Sequence, residues 1–237
     1  MTEKSFSNSD DIFFRIRENY KRISENIDGA MDKAGRKDRV RLMAVTKTVP
    51  FENVNYAVSL GIDLLGENRV QEFLGKYEFY DSKSQIHFIG GLQSNKVKYI
   101  IDKVSMIHSV DSVKLADEIN KRAALCGKIT DILIEVNVGG EKSKGGVAPD
   151  QIDEFSCYCK ELSNIRLRGF MAIPPIDING SNNKYFEQME RIYNDCRSKS
   201  GKNIDTLSMG MSNDYQQALR YGSNIVRIGS ALFGRRK

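Results

Sequence analysis

The chain has 237 residues, 40% of them hydrophobic and 28% charged, with 36 Lys and Arg against 31 Asp and Glu for a formal net charge of +5. That balance excludes a largely disordered chain, and the length suits one large α/β unit. No apolar run reaches the roughly 18 residues of a membrane helix, and the mild, dispersed positive charge accompanies no nucleic-acid motif, so neither a membrane nor a nucleic acid is expected as a partner.

The N-terminal stretch MTEKSFSNSDDIFF is polar and acidic, unlike a signal peptide, and points to the cytoplasm. Ile12, Phe13, Ile16, Tyr20, Ile23 and Ile27 then recur at helical spacing behind Asp10 and Asp11, and Gly35 marks an end. A helix over about residues 10–36 is expected, covering the flank of the remaining domain. From residue 41 a rhythm sets in. Apolar, strand-like runs fall at 41–47, 62–66, 85–90, 105–110, 131–138, 165–171, 206–211 and 225–229. Helix-like stretches lie between them: from Pro50 to about 60, on to about 77, over 94–101, from Asp111 or Ser112, from Pro149 and Asp150, and over 182–199. The last two run from Ser212-Asn213-Asp214 to near Gly222 and over the short Ala231-Leu232-Phe233. Cys126, Cys157, Cys159 and Cys196 are scattered, fit no zinc spacing and are expected to be reduced.

Strands that alternate with helices pair in parallel, and about eight such units close into a barrel. The expectation is therefore one α/β domain over residues 1–237, a (β/α)₈ TIM-type barrel with an extra N-terminal helix. An open doubly wound sheet is the alternative, but Thr48-Val49-Pro50-Phe51 after the first strand lacks the glycines of a dinucleotide-binding turn.

In such a barrel the chemistry sits where strands run into the following loops. Those ends read Lys47, Asn68, Gly90-Gly91, Asp111, Asn137, Met171, Met209 to Ser212, and Arg227 to Gly229. Lys47 ends an apolar strand. Partial burial lowers a lysine pKa, and a neutral amine forms a Schiff base with an aldehyde; the plain alternative is a lysine that snorkels to water. The segment 210–214 and Gly229-Ser230 follow the last two strands, where barrels often hold phosphate, although Ser212 serves equally well as a helix N-cap. Arg227 shares a strand face with Gly229; pointing inward, it needs a ligand atom, or Glu135, as its partner. Asn68 and Asn137 suit either ligand or loop hydrogen bonds. His87 and His108 lie within strands as core residues, and with only two histidines no metal site is expected. The loop 139–146 brings Lys142 and Lys144 near the mouth. The sequence contains no Ser-His-Asp set and no Cys-His pair placed together.

Long segments of the chain then resemble a known family. They are Leu-Met-Ala-Val-Thr-Lys47-Thr, Leu-Gly-Glu-Asn68-Arg-Val-Gln-Glu, His87-Phe-Ile-Gly-Gly-Leu-Gln-Ser-Asn-Lys96, Leu-Arg-Gly-Phe-Met171-Ala-Ile-Pro, Leu-Ser-Met-Gly-Met-Ser212-Asn-Asp and Val-Arg227-Ile-Gly-Ser-Ala-Leu-Phe-Gly. In this order, from about residue 10 onward, they resemble the YggS/PROSC family of pyridoxal 5′-phosphate (PLP) homeostasis proteins. The resemblance implies a fold-type III PLP-binding barrel like the N-terminal part of alanine racemase. It implies PLP held covalently on Lys47, phosphate contacts from Ser212, Gly229 and Ser230, and Arg227 near the pyridine nitrogen; Asn68 and Met209, at strand ends, are expected to bind the cofactor as well. Arg69 stands where some relatives carry tyrosine.

The resemblance further implies a protein that carries and buffers PLP and regulates vitamin B6 and amino-acid pools. A carrier is expected to pass cofactor to apo PLP-dependent enzymes, and the absence of a racemase's second domain, with its dimer contacts, leads to the expectation of a monomer. A cation beside the pyridine nitrogen discourages its protonation and weakens carbanion chemistry. The sequence stops soon after the barrel motif, so a racemase's second domain and its tyrosine are expected to be missing and turnover to be slight. A PLP-dependent amino-acid racemase is the nearest alternative; a phosphosugar aldolase using Lys47 is a more distant one.

Overall fold

The computed structural model describes residues 8–141, 145–175 and 183–234, so Lys142, Lys144 and the basic residues 235–237 lie outside the described part. The chain opens with α1 (Asn8–Lys33). Its apolar stripe buries Ile16, Ile23, Ile27, Ala30 and Met31, and it packs on the helices beside the first and last strands. Gly35 at φ +65° closes it, with the Arg36 N–H returning to the Met31 carbonyl.

The strands are β1 (Arg41–Val45), β2 (Leu64–Glu67), β3 (Gln85–Phe88), β4 (Met106–Val110), β5 (Thr130–Val136), β6 (Ile165–Ala172), β7 (Thr206–Met211) and β8 (Ile225–Ile228). Each pairs in parallel with the next, and β8 pairs with β1, which closes the barrel. The crossovers are α2 (Phe51–Ser59), α3 (Val70–Lys76), α4 (Val113–Leu125), α5 (Ile152–Glu161), α6 (Asn183–Ser200) and α7 (Tyr215–Arg220), followed by the short α8 (Ser230–Phe233). The stretch expected to be helical over 94–101 is instead a 3₁₀ segment, Ser94–Tyr99. Asn95, Val97 and Tyr99 are weak helix formers, and β4 begins too soon for a longer helix.

The period-2 pattern sorts the strand residues into two cores. Ala44, Leu65, Phe88, Ile107, Ile132, Ile134, Phe170, Leu207, Val226 and Ile228 face the helices in the large outer core. Met43, Val45, Leu64, Ile89 and Ile225 form one inner cluster, and Met106, Leu133 and Met171 another.

The amino mouth of the barrel is held by ion pairs. Arg168 donates to both Asp131 (2.7 Å) and Asp205, and Arg166 donates to Asp131 at 2.6 Å. Arg41 lies 3.3 Å from Asp63. A cavity of about 390 Å³ opens there, with His87 among its lining residues.

Candidate functional site

The carboxyl mouth is built from loops rather than strand ends. β1 stops at Val45, so Lys47 belongs to a turn, half-buried. The segment carrying it is tied at several points. The Thr46 N–H donates to the Gly66 carbonyl, and the Val49 N–H returns to the Thr46 carbonyl. Thr48 has φ +63°, the one positive-φ residue other than glycine among the described residues. A β-branched residue there is strained and persists only where its surroundings over-determine it.

Lys47 lines a cavity of about 330 Å³ together with Val45, Asn53, Gly229, Ser230 and Phe233. Its small residues and volume suit a small ligand. Ser212 joins this group by one hydrogen bond: its hydroxyl accepts the Ala231 N–H at 3.2 Å, in the first turn of α8. Ser212 is not the cap of α7, whose N-cap position is Asp214, and the Asp214 carboxylate accepts the Met211 N–H at 2.6 Å. Gly210 needs its φ of +91°, and a Cβ there would sit 2.7 Å from Ala218 Cβ.

Arg227 points into the barrel beneath this cavity and is buried. Its guanidinium donates to the Ser208 carbonyl (2.7 Å), the Ser208 hydroxyl (2.8 Å) and the Ala172 carbonyl (2.8 Å). Of the two partners the sequence left open, a ligand atom or Glu135, the latter is replaced by these neutral oxygens. Burial pushes its pKa down to about 10, against the opposing pull of Asp214 and Glu135, so it remains a cation at neutral pH. Glu135 shares the inner face with Leu133, two residues below it on β5. Burial, reinforced by the charge of Asp111, raises its carboxyl to about 7, and Arg227 opposes this. Below Arg227, His87 Nδ1 and His108 Nε2 lie 2.9 Å apart. Burial holds His87 down at about 3 and His108 well below the usual range, so the pair is neutral and core-like, as the sequence implied.

Asn68 follows β2, and its backbone passes against Gly90; a Cβ on Gly90 would sit 2.1 Å from the Asn68 carbonyl oxygen. Asn137 binds its own loop, donating from Nδ2 to the Glu141 carbonyl at 3.0 Å. Met209 turns away from the Lys47 cavity. Its side chain is fully buried in the outer core, away from the mouth, and its carbonyl accepts the Ser223 hydroxyl at 2.7 Å. Ser208 meets Arg227 inside the barrel, so alternation turns Met209 outward.

Sequence reasoning missed the group behind the Lys47 turn. Glu67 is fully buried on the outer side of β2 and accepts the Thr46 hydroxyl (2.7 Å) and the Tyr80 hydroxyl. Burial, then the Glu67 charge, pushes the Tyr80 hydroxyl far above its usual range. Lys76 donates to Glu72 (2.7 Å) and to the Thr46 carbonyl (2.9 Å). The i,i+4 spacing of Glu72 and Lys76 was the one legible signal.

A closed parallel barrel with a lysine, a serine and a Gly-Ser turn at its carboxyl mouth defines a class of (β/α)₈ ligand-binding proteins. The chain belongs to the alanine racemase N-terminal domain family, whose model matches residues 19–237, and within it to the pyridoxal phosphate homeostasis proteins. A protein of that name from Aquifex aeolicus is 45% identical over 223 residues, spanning 93% of this chain and 98% of the relative. A crystal structure of an unknown protein from Bifidobacterium adolescentis matches with TM-score 0.89 and 30% identity, over 97% of this chain and 98% of the other. The structure of PipY from Synechococcus elongatus with PLP bound matches with TM-score 0.78 and 28% identity, over 90% of this chain and all of the other.

Proposed function

We propose that this chain binds PLP covalently through Lys47, with the phosphate held by Ser212, Gly229 and Ser230 and the ring above Arg227 near Asn68. Met209 packs in the outer core and does not line the Lys47 cavity. The observation that carries this reading is the single cavity shared by Lys47, Gly229 and Ser230, with Ser212 one hydrogen bond away. Those residues fit the group. When bound, the cofactor supplies an aldehyde carbon to which a neutral lysine amine adds with loss of water. The chain's own contributions are orientation and charge. α8 has its first N–H groups at the cup, and Ser212 offers a hydroxyl beside them. Arg227, fixed as a cation, disfavours further positive charge on any ligand atom facing it.

The function is to carry and buffer PLP in vitamin B6 and amino-acid homeostasis, with little or no turnover, in a cytoplasmic, monomeric, single-domain chain that passes cofactor to apo-enzymes. Relatives named for homeostasis rather than racemisation support this, as does the buried cation. Among the described residues no helix is long and apolar enough to cross a membrane.

The test is the visible absorbance of the purified protein with added PLP, then borohydride reduction and peptide mapping. A yellow protein that bleaches and carries a pyridoxyl group on Lys47 bears the proposal out. A colourless protein that takes up no PLP refutes it. Robust interconversion of D- and L-alanine would overturn the low-turnover part alone.

A further inference from the structure

Lys47 is flanked by two peptide units, and α3 holds both. The carbonyl of the unit before it, on Thr46, accepts Lys76 Nζ at 2.9 Å. The N–H of the unit after it, on Thr48, donates to Glu72 Oε1. The same Lys76 ammonium reaches the Val49 carbonyl at 3.4 Å and pairs with Glu72 at 2.7 Å. It lies 3.7 Å from the buried Glu67, which in turn accepts the Thr46 hydroxyl. The side chains of Lys76 and Glu72 are only 13% and 23% exposed. An ordinary surface i,i+4 pair bonds to its partner and to water. This one also bonds to the backbone of a turn 24 to 30 residues earlier. Burial raises the Glu72 carboxyl, but Lys76 and the Thr48 N–H outweigh that and hold it below the ordinary carboxylate range.

The turn has a reason to need holding. Thr48 is exposed, so no packing fixes its left-handed backbone, and threonine disfavours that region. Released from Glu72, the segment can relax towards an ordinary turn, which would rotate the Cα–Cβ bond of the preceding lysine. A functional amine works from a site held to about 0.5 Å, and its supporting shell sets that tolerance.

We propose that Glu72 and Lys76 are positioning residues for Lys47: by clamping the peptide units on either side of it, they keep its amine directed into the cavity shared with Gly229 and Ser230. The proposal rests on the reading that Lys47 carries the cofactor. It assigns α3 a role in ligand retention without contact with the ligand.

The test uses the full chain with Glu72→Gln and, separately, Lys76→Met. Three quantities are measured: the rate of PLP release, the affinity for pyridoxamine 5′-phosphate, and the melting temperature without ligand. Pyridoxamine phosphate has the same ring and phosphate but no aldehyde, so it reports the rest of the site without Lys47 chemistry. Losing one charge-assisted hydrogen bond is expected to speed PLP release about tenfold, while pyridoxamine phosphate affinity stays within about twofold. The visible maximum of the loaded protein is expected to shift as well. Equal weakening of both ligands, tracking a fall in melting temperature, would reduce the clamp to a structural role and overturn the proposal. Unchanged release in both variants would also overturn it. Should Lys76→Met fail to fold, the near-isosteric Glu72→Gln carries the test alone. A wild-type protein that takes up pyridoxamine phosphate but forms no reducible adduct with PLP would instead defeat the Lys47 reading, before either variant is compared.

Discussion

The two mouths of the barrel are both rich in charge, yet they use it differently. At the amino mouth, the guanidinium of Arg168 meets the carboxylates of Asp131 and Asp205, and Arg166 shares Asp131. At the carboxyl mouth, Arg227 is more deeply buried but bonds to the neutral oxygens of Ser208 and Ala172, while burial raises the Glu135 carboxyl to about 7. Charges that pair with one another tie neighbouring strands together and add stability. Charges that settle on neutral oxygens keep their field for something else. This is the division expected of such barrels, where the bottom serves stability and the top serves function.

The sharpest way to break that comparison is to exchange its consequences. Lys47→Ala is expected to abolish borohydride trapping of PLP altogether while leaving the ligand-free melting temperature within about 2 °C, since it removes a half-exposed side chain. Arg168→Met should do the reverse. It should lower the melting temperature by about 3–8 °C, as loss of a partly buried network does in a chain of this size, with PLP uptake unchanged. If Arg168→Met weakened PLP uptake as well, the mouths would be coupled and the division would fail.

Two adjacent glycines give the next contrast. Gly90→Ala forces a methyl group to within 2.1 Å of the Asn68 carbonyl oxygen, whereas Gly91→Ala meets nothing within 4 Å. The first should cost stability and displace Asn68, measured by melting temperature and PLP affinity together. The second should be close to neutral. Ser212→Ala comes next in size. Its hydroxyl bonds Ala231 at the rim of the cup, and its loss is expected to weaken PLP and inorganic phosphate about tenfold with little change in melting temperature.

The effects of pH run in opposite directions at the two ends. Glu135 rises from 4.5 to about 7 in the fold. Its stabilising preference for the protonated form is complete below 4.5 and is lost as pH rises through about 7. Glu135→Gln should therefore gain stability relative to wild type between pH 5 and pH 8. His87, which lines the amino cavity, falls from 6.5 to about 3. The stability of the neutral ring is present above 6.5 and is lost as pH falls towards 3. Ligand-free denaturation curves from pH 4 to pH 8 on wild type and Glu135→Gln separate the two, because only the neutral-pH slope should vanish in the variant.

The sequence made the barrel legible because its information is local. Each strand is a short apolar run and each helix a periodic stretch, and parallel closure follows from their alternation. Lys47, Ser212, Gly229 and Ser230 were legible for a related reason: they fall where strands give way to loops. The direction of Met209 was not legible, because one register irregularity and the left-handed Gly210 sit beside it, and reading a strand end does not reveal which way the last side chains turn. The 94–101 stretch misled for want of length and strong helix formers.

What the sequence determined by itself was the element order, the barrel and the placement of Lys47, Ser212, Gly229 and Ser230 where strands give way to loops, all consequences of periodicity along the chain. What only the tertiary structure decided was which distant groups meet. Glu72 and Lys76 reach back to the turn of Lys47, Ser212 reaches forward to Ala231, Arg227 settles on Ser208 and Ala172, and His87 finds His108. The physical reason is that hydrogen-bond partners are chosen within about 3 Å in space, whereas sequence patterns specify only each residue's face and element.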